Sequence, residues 1–391
     1  MQRGSNLDGV RRYNERLALA TIRRRNGASK TDIANATGLS AQAAVRIVDA
    51  LEAAQLVVRT GKRTGGLGQP SILYEVNGDG GFTVGVEIGR ERLTLVLLNY
   101  RGEVLDRHIQ PVDFPVPGFV LEQTAVFVDR QLARLSAEKR SSFLGIGIAM
   151  PWFIGEWRQE IGISEAQAGE WERADVEQMF RSRFSHPLFF ENDGNAGALA
   201  ELLTGAGLQL ESYLYLHIGT FIGGGLVLRG QLEEGRHGNA GAIASMPVPS
   251  ADRSGTDYLL HKASRYMLEK ALGAATGIDA SFDDMVTSRS QRVNEWLADC
   301  AKALAFVIIG ANSLLDLQAI IMDGDLPPQL IAQVMSAVEQ HIAQSRPLDF
   351  FAPDLVLGTM RDMAPAIGAG LLPMYATFSP NLATLLKNPK V

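Results

Sequence analysis

Three glycine-rich segments between residues 191 and 241 constrain the fold of this chain more than any other feature. They are ENDGNAG from residue 191, GTFIGGG from residue 219 and GNAG from residue 238. The apolar stretch 187–190 predicts a buried strand that delivers Asn192 and Asp193 to its carboxyl end, where a helix begins. Open α/β sheets hold their ligands at that edge. Gly223, Gly224 and Gly225 have no side chains, so the backbone there can approach a phosphate or another backbone segment closely.

A hairpin with a glycine turn occurs twice. The stretch EIGRERLTLVLL from residue 87 aligns with HIGTFIGGGLVL from residue 217. Each belongs to a pattern of three strands, a helix and a strand, which predicts two similar lobes around a cleft. We also predict helices at about 118–135, 174–184, 255–272, 293–315 and 364–375, and strands at about 143–149, 213–218, 319–322 and 355–358. Phe350 and Phe351 are interpreted as core residues, with a dimer contact as the alternative.

The charge of the chain is unevenly distributed. Residues 1–76 contain twelve Lys or Arg and six Asp or Glu, a net charge of +6, whereas the remainder carries −12. A basic head on an acidic body indicates that only the head meets a polyanion. We therefore predict two domains, 1–76 and 77–391.

The amino-terminal domain has the pattern of a winged helix-turn-helix. Ser29 is a good N-cap for a second helix that ends at Gly38, and Ser40 caps a third helix. In a helix-turn-helix this last helix enters the major groove of DNA. Two strands, 56–59 and 72–76, then enclose a basic loop of the length expected for a wing.

We predict DNA contacts from the start of the third helix and from the wing. Behind the cap at Ser40, the small residues Ala41 and Ala43 allow close approach to the groove, Gln42 can read adenine, and Arg46 can reach guanine or phosphate. Lys62 and Arg63 would contact phosphates or the minor groove. The alternative is a helical protein-interaction module with a solvated basic face.

The glycine-rich segments and the winged head together resemble the ROK family of sugar kinases and sugar-responsive repressors. The resemblance covers nearly the whole chain. It implies an α/β fold with two actin-like lobes, related to ribonuclease H and shared with hexokinases, behind the winged head. ATP occupies the cleft between the lobes in the kinases.

The resemblance also implies a sugar site. Asn192 and Asp193 stand where the family binds sugar; in a kinase Asp193 would be the general base, whereas in a sensor it would accept a hydrogen bond from a sugar hydroxyl. Ser245 stands at a family histidine position, and Asp257 or Tyr258 lies near a later sugar ligand. Trp152 either stacks on the sugar or packs under the 161–171 loop.

The kinase motifs are altered. Family kinases open the first hairpin with Asp-x-Gly-Gly-Thr, but this chain has EIGRE from residue 87, which would place the Glu91 carboxylate beside a phosphate. Asp323 and Asp325 would add two more anions near the nucleotide. The family zinc motif is also replaced, by GNAGAIAS from residue 238 and a cysteine-free segment 247–256. We predict no phosphoryl transfer, no metal and no cofactor.

A single cysteine, Cys300, and the absence of an apolar leader indicate a cytoplasmic protein. The longest apolar run, 303–311, is shorter than the roughly 20 residues that a membrane helix needs. We expect a repressor of carbohydrate genes that binds a sugar or polyol and binds an inverted-repeat operator as a homodimer or homotetramer. The alternatives are a sugar kinase with a DNA-binding head and a ligand-blind DNA-binding protein whose cleft has decayed.

Overall fold

The computed structural model describes residues 7–64, 70–154, 163–250, 255–273 and 290–381, together with residues 282, 286 and 287. Its head is the predicted winged helix-turn-helix. The head elements are α1 (Leu7–Arg25), α2 (Lys30–Thr37), α3 (Ala41–Ala53) and the antiparallel strands β1 (Val57–Arg63) and β2 (Ser71–Val76). Residues 65–69, in the predicted wing, lie outside the described residues.

The caps of the head helices form as predicted. The Ser29 hydroxyl accepts a hydrogen bond from the Asp32 backbone N–H, and Asp32 returns the interaction in a capping box. Gly38 ends α2 in the left-handed conformation, with a φ of 70°. Ser40 then accepts a hydrogen bond from the Ala43 backbone N–H at 3.2 Å and starts α3.

The strands of the two main sheets of the body are β3 (Phe82–Ile88), β4 (Arg92–Asn99), β5 (Val104–Pro111), β6 (Phe143–Met150), β7 (Leu188–Asn192), β8 (Tyr213–Ile218), β9 (Ile222–Leu228), β10 (Gln231–Glu233), β13 (Ala319–Gly324) and β14 (Asp354–Leu357). They form two five-stranded sheets with the same order of strands. The first is β5-β4-β3-β6-β7 and the second is β10-β9-β8-β13-β14. In each sheet the first three strands pair antiparallel and the last three pair parallel. The predicted duplication is therefore confirmed.

The body contains helices that match the predictions at 118–135, 174–184, 293–315 and 364–375, and others that were not predicted. They are α4 (Pro117–Arg134), α5 (Ala137–Ser141), α6 (Glu165–Arg173), α7 (Val176–Arg183), α8 (Asp193–Thr204), α9 (Leu260–Ala263), α10 (Arg265–Leu272), α11 (Ser290–Leu315), α12 (Pro328–Ser345) and α13 (Ala364–Phe378). The prediction of one helix over 255–272 is wrong. Strand β12 (Thr256–Tyr258) pairs there with β11 (Pro247–Pro249). The extended backbone of Ser264 then separates α9 from α10, because its buried hydroxyl accepts a hydrogen bond from the Ile222 backbone N–H.

Helix α11 contributes the core of the second lobe, with Cys300, Leu304 and Ile308 fully buried. Among the described residues, one stretch, Gln291–Leu315, is long and apolar enough to cross a membrane by length and composition. Its packing against the sheet is that of a core helix. Phe351 is 84% exposed, so the interpretation of that residue as core is wrong, whereas Phe350 is partly buried.

A single apolar cluster joins the head to the body. Ile22 of α1 belongs to the same cluster as Tyr100 and as Leu371 of α13. Arg23 strengthens this junction by donating hydrogen bonds to the carbonyl oxygens of Tyr100 at 2.7 Å and Arg101 at 3.1 Å. Helix α1 thus packs the head directly against the first lobe.

Helix α13 also packs closely on α8. A Cβ atom added at Gly368 would lie 1.7 Å from the Ala196 carbonyl oxygen, so only glycine permits this approach of the two helices. Since α8 starts at Asp193 and α13 contacts the head, two rigid helices connect the interlobe edge of the sheet to the DNA-binding domain.

Candidate functional site

A cavity of about 260 Å³ opens between the two lobes. It is bordered by the β3–β4 turn of the first lobe and by the β8–β9 turn of the second, the two hairpins that the sequence alignment pairs. The remaining wall includes the start of α8, with Asp193 and Gly194. This location, at the carboxyl ends of the parallel strands, is where α/β sheets bind ligands.

Asp193 and Asn192 occupy the junction between β7 and α8. The Asn192 Oδ1 atom accepts a hydrogen bond from the Gly194 N–H at 2.9 Å and caps α8. Asp193 lines the cavity. Burial raises the pKa of the Asp193 carboxyl, and the nearby Arg90 and His217 oppose that rise. The sugar-binding role of both residues stays a prediction; of the two, Asp193 faces the cavity.

A buried ionic cluster closes one side of the cavity. Arg92 donates hydrogen bonds to Glu87 at 3.3 Å and to Asp325 at 3.4 Å, and His217 Nε2 lies 3.3 Å from the same Asp325 oxygen. Burial alone would raise the pKa of Asp325, but the hydrogen bond with His217 and the arginine charge outweigh it and lower the pKa to about 2. Conversely, burial would lower the pKa of His217, but the hydrogen bond with Asp325 raises it.

The tips of the two hairpins contact each other across the cleft. Glu91 accepts a hydrogen bond from the Thr220 hydroxyl at 3.0 Å and forms an ion pair with Arg265, both of the second lobe. Arg90 stacks on Phe221 at 4.6 Å. The repulsion expected between Glu91 and a phosphate is therefore weaker, because Arg265 neutralises the carboxylate.

Asp323 and Asp325, the two anions expected near the nucleotide, lie in different surroundings. Asp325 lines the cavity but is paired with Arg92 and His217. Asp323 is buried elsewhere, where it accepts a hydrogen bond from the Arg361 backbone N–H at 2.8 Å. Asp323 therefore does not line the cavity, although its charge acts on His217 of the cavity wall.

The other predicted sugar ligands do not line this cavity. Ser245 is exposed at the end of a short 3₁₀ turn. Asp257 is held by His261 at 2.6 Å and by Lys262 at 3.2 Å, within and just after the β11–β12 hairpin. Asp257 lies in strand β12, and its carboxylate contacts residues of α9 instead of the cavity.

Trp152 also lies outside the central cavity. Its indole N–H donates a hydrogen bond to the Gly238 carbonyl oxygen at 2.6 Å and so links the two lobes. It lines a second cavity of about 410 Å³ together with Trp171. The packing alternative fits this location, although residues 161 and 162 of the proposed loop lie outside the described residues.

The glycines of the second hairpin have two roles. A Cβ at Gly224 would lie 2.7 Å from the Gly241 carbonyl oxygen, and one at Gly225 would lie 2.8 Å from the Gly194 carbonyl oxygen, so both serve backbone-to-backbone packing. Gly223 lines the cavity.

Sequence reasoning missed four charged residues of the cavity wall: Glu87, Arg92, His217 and Arg265. A signal existed for two of them. Glu87 and His217 are aligned with each other in the duplicated hairpins, and equivalent strand ends of two lobes around a cleft face each other. Arg92 and Arg265 had no such signal, because Asp325 and Glu91, their partners across the cleft, are distant in sequence. Across the described residues, no group of three His, Cys, Asp or Glu side chains has a geometry that could hold a metal ion.

The candidate DNA surface is the start of α3 with the neighbouring hairpin. Ala41, Gln42 and Arg46 are exposed, while Ala43 is half-buried and Ser40 serves as the cap. These side chains are free to meet the major groove, as the prediction requires.

The hairpin cations differ from each other. Lys62 is exposed on β1, whereas Arg63 donates hydrogen bonds to both carboxylate oxygens of Asp32, at 2.9 and 3.0 Å. Partial burial would raise the pKa of Asp32, but the hydrogen bonds from Arg63 and Ser29 lower it to about 2. Arg63 therefore holds the hairpin against α2, and a phosphate would have to compete with an ion pair in which Nη2 contacts both carboxylate oxygens.

The chain is similar to several known proteins. It is 26% identical over 371 residues to the uncharacterized protein y4fQ of Sinorhizobium fredii, which covers 93% of this chain and 91% of that one. It is 25% identical over 251 residues to a putative xylose repressor of a Caldicellulosiruptor species, across 62% of this chain and 60% of the relative. It is also 30% identical over 168 residues to a glucokinase of Halalkalibacterium halodurans, across 42% of this chain and 49% of the relative.

The fold of the whole chain has a solved counterpart. A crystal structure of a ROK family transcriptional regulator, a homologue of the Escherichia coli MLC protein, superimposes with a TM-score of 0.67 at 20% identity and covers 97% of this chain and 99% of that chain. A MarR family profile matches residues 13–66, within the winged head. The ROK family profile matches residues 83–374, which span both lobes and the cavity between them, and the chain therefore belongs to the ROK family.

Proposed function

We propose that this protein is a cytoplasmic, DNA-binding transcriptional repressor of carbohydrate uptake or catabolism genes, controlled by a sugar or polyol in the interlobe cavity. The observation that carries the proposal is the junction of head and body. The head shares one apolar core with α13, and α13 packs without a gap on α8, which starts at Asp193 of the cavity wall. A regulator needs such a connection, whereas a kinase has no use for it.

On the DNA side, residues 1–76 form the DNA-binding domain and residues 77–391 the effector domain. Gln42 and Arg46 of α3 read the operator, and Lys62 contacts the backbone. A homodimer or homotetramer would present two such heads to an inverted repeat, because half-site spacing mirrors the symmetry of the protein. The match of the head to the MarR profile and the exposure of these side chains support this assignment.

On the effector side, Asp193 accepts a hydrogen bond from a ligand hydroxyl. At about 260 Å³, the cavity lies near the roughly 300 Å³ at which pockets for drug-sized ligands begin, and it suits a monosaccharide. Relatives of this chain are named xylose repressors, so D-xylose is the first sugar to test.

The cavity does not suit ATP-dependent phosphoryl transfer. Arg90 and Glu91 stand where family kinases have small residues, and both reach the opposite lobe, through Phe221 and Arg265. We expect these contacts between the hairpin tips to leave little room for the phosphates of a nucleotide. A protein held in this way binds a small ligand without a cosubstrate.

Control of DNA binding follows from the geometry. A ligand that changes the closure of the lobes moves α8 relative to the first lobe, and α13 carries that motion to α1 through their shared packing. Because two paired heads must match a fixed spacing, a small rotation of each lowers operator affinity.

The second candidate is a sugar kinase with a DNA-binding head, which the glucokinase relatives and the position of Asp193 favour. A coupled assay with ATP, Mg²⁺ and a panel of sugars separates the two functions. The repressor account predicts operator binding that a sugar weakens and no sugar phosphate above background. Sugar phosphate formation that disappears in Asp193→Asn would establish the kinase, and operator binding that no sugar changes would favour a ligand-blind protein.

A further inference from the structure

Arg90 is the arginine of the cavity wall that forms no close ion pair among the described residues, although its charge acts on the nearby Asp193. Among the described residues, Arg92 is paired with Glu87 and Asp325, and Arg265 is paired with Glu91 and Glu269. Arg90 has no carboxylate within ion-pair distance in the same set of residues. Its Nη2 donates a long hydrogen bond to the Phe153 carbonyl oxygen at 3.5 Å, and its buried Nε has no partner among the described residues.

The surroundings of Arg90 hold its guanidinium toward the cavity. One face lies on the Phe221 ring at 4.6 Å, so the edge with the N–H donors remains for a ligand. A desolvated guanidinium with an unused N–H is costly, and an anion is the partner that best satisfies it. Burial lowers the pKa of Arg90 to about 10, so it is fully charged at neutral pH.

Arg90 and Asp193 line the same cavity with opposite chemistry. Asp193 accepts hydrogen bonds, as hydroxyl groups require, and Arg90 donates them, as a carboxylate or phosphate requires. The neighbouring Glu91 does not repel an anion strongly, because Arg265 and Thr220 hold its carboxylate.

We infer that the effector is an anionic sugar derivative, a sugar acid or a sugar phosphate, whose charged group is bound by Arg90 and one of whose hydroxyls is bound by Asp193. This inference rests on the proposed sugar-sensing function and narrows it. A neutral sugar would leave Arg90 with a hydroxyl acceptor, which is a weaker partner than an anion.

The test is isothermal titration calorimetry of the full-length protein with matched ligands. The panel contains D-xylose, D-xylonate and D-xylose 5-phosphate, then D-glucose, D-gluconate and D-glucose 6-phosphate, and inorganic phosphate alone. We expect one anionic derivative to bind at least about tenfold more tightly than its neutral parent. The anionic group is identified by which derivative, the sugar acid or the sugar phosphate, binds with the higher affinity.

Arg90→Met retains an apolar chain of similar length and removes the charge. It should weaken binding of the anionic ligand about ten- to hundredfold and change binding of the neutral parent little. Arg90→Lys should fall between, because a lysine keeps the charge without the planar fork. Arg346→Met is the matched control, since Arg346 is exposed and does not line the cavity.

Equal or tighter binding of a neutral sugar, unaffected by Arg90→Met, would overturn the inference and leave sugar sensing intact. Inorganic phosphate bound as tightly as a sugar phosphate would overturn it by showing an anion site alone. Failure of every ligand to bind would overturn both this inference and the proposed function.

Discussion

The packing of α13 on α8 predicts opposite effects for the same substitution in two helices. At Gly368 an added Cβ would lie 1.7 Å from the Ala196 carbonyl oxygen, whereas real Cβ atoms essentially never come within 3.0 Å of such a neighbour. The helices must therefore separate by at least the difference, 1.3 Å. A backbone oxygen cannot rotate away, so we expect overpacking to cost about 3 kcal/mol. The gain of about 1 kcal/mol in helix propensity leaves a net loss of about 2 kcal/mol.

Gly310 of α11 is the matched control. It is exposed, and an added Cβ would meet nothing within 4 Å, so Gly310→Ala should stabilise the protein by about 0.5–1 kcal/mol through helix propensity alone. Urea unfolding followed by circular dichroism measures both variants. A Gly368→Ala variant as stable as the wild type, or a shift of both variants in one direction, would refute the reasoning about the α8–α13 contact.

Three further predictions concern the head, the junction and the cavity. Arg46→Ala should weaken operator binding measured by fluorescence anisotropy, and if Arg46 contacts a phosphate it should also reduce the salt dependence of binding by about one counterion. Arg181→Ala, on the exposed helix α7, is the control and should change neither quantity. Unchanged binding by Arg46→Ala would show that α3 is not the helix that reads the operator. Arg23→Met should destabilise the protein by about 1–3 kcal/mol and speed the release of the head by trypsin, because the carbonyl oxygens of Tyr100 and Arg101 lose a charged donor. Release at the wild-type rate would show that Arg23 does not anchor α1 to the body. The hydrogen bond with Asp325 raises the pKa of His217, so the stabilising contribution of His217 is complete below about pH 6.5 and is lost as the pH rises through the folded-state pKa. The difference in unfolding free energy between the wild type and His217→Gln should therefore shrink between about pH 6 and pH 9. A difference that grows over this range would contradict the pairing of His217 with Asp325.

Local signals predicted the parts of the fold that depend on local chemistry. Ser29, Gly38 and Ser40 fixed the ends of the head helices, because capping is decided within a few residues. The alignment of residues 87–98 with 217–228 predicted the repeated hairpins of the two sheets, because each hairpin pairs two strands that are adjacent in sequence. These predictions are confirmed.

The cavity wall could not be predicted in the same way. Glu91 appeared to be a free anion in the sequence, but its partner Arg265 comes from the other lobe, 174 residues away. Asp257 was assigned to the sugar site from its place near a later sugar ligand of the ROK family, but its carboxylate contacts His261 beside the β11–β12 hairpin. Charge balance in a cleft depends on which residues the two lobes bring together, and that information lies in tertiary packing.

The connection from the cavity to the head also depends on packing. Gly368 in the sequence is one of several small residues in a hydrophobic helix, and nothing local distinguishes it from Gly370. The structure shows that its missing side chain admits the Ala196 backbone. Helix α13 thus contacts α8 through Gly368 and the apolar cluster shared with the head through Met374, Tyr375 and Phe378.

The most direct test of the account is operator binding measured by fluorescence anisotropy with the full-length protein, with and without the sugar or sugar derivative that binds the cavity. The account predicts that the ligand lowers operator affinity, that Asp193→Asn binds the operator normally but does not respond, and that ATP with Mg²⁺ changes neither result. A ligand that releases the wild type and Asp193→Asn equally, or that is converted to a phosphorylated product, would contradict it.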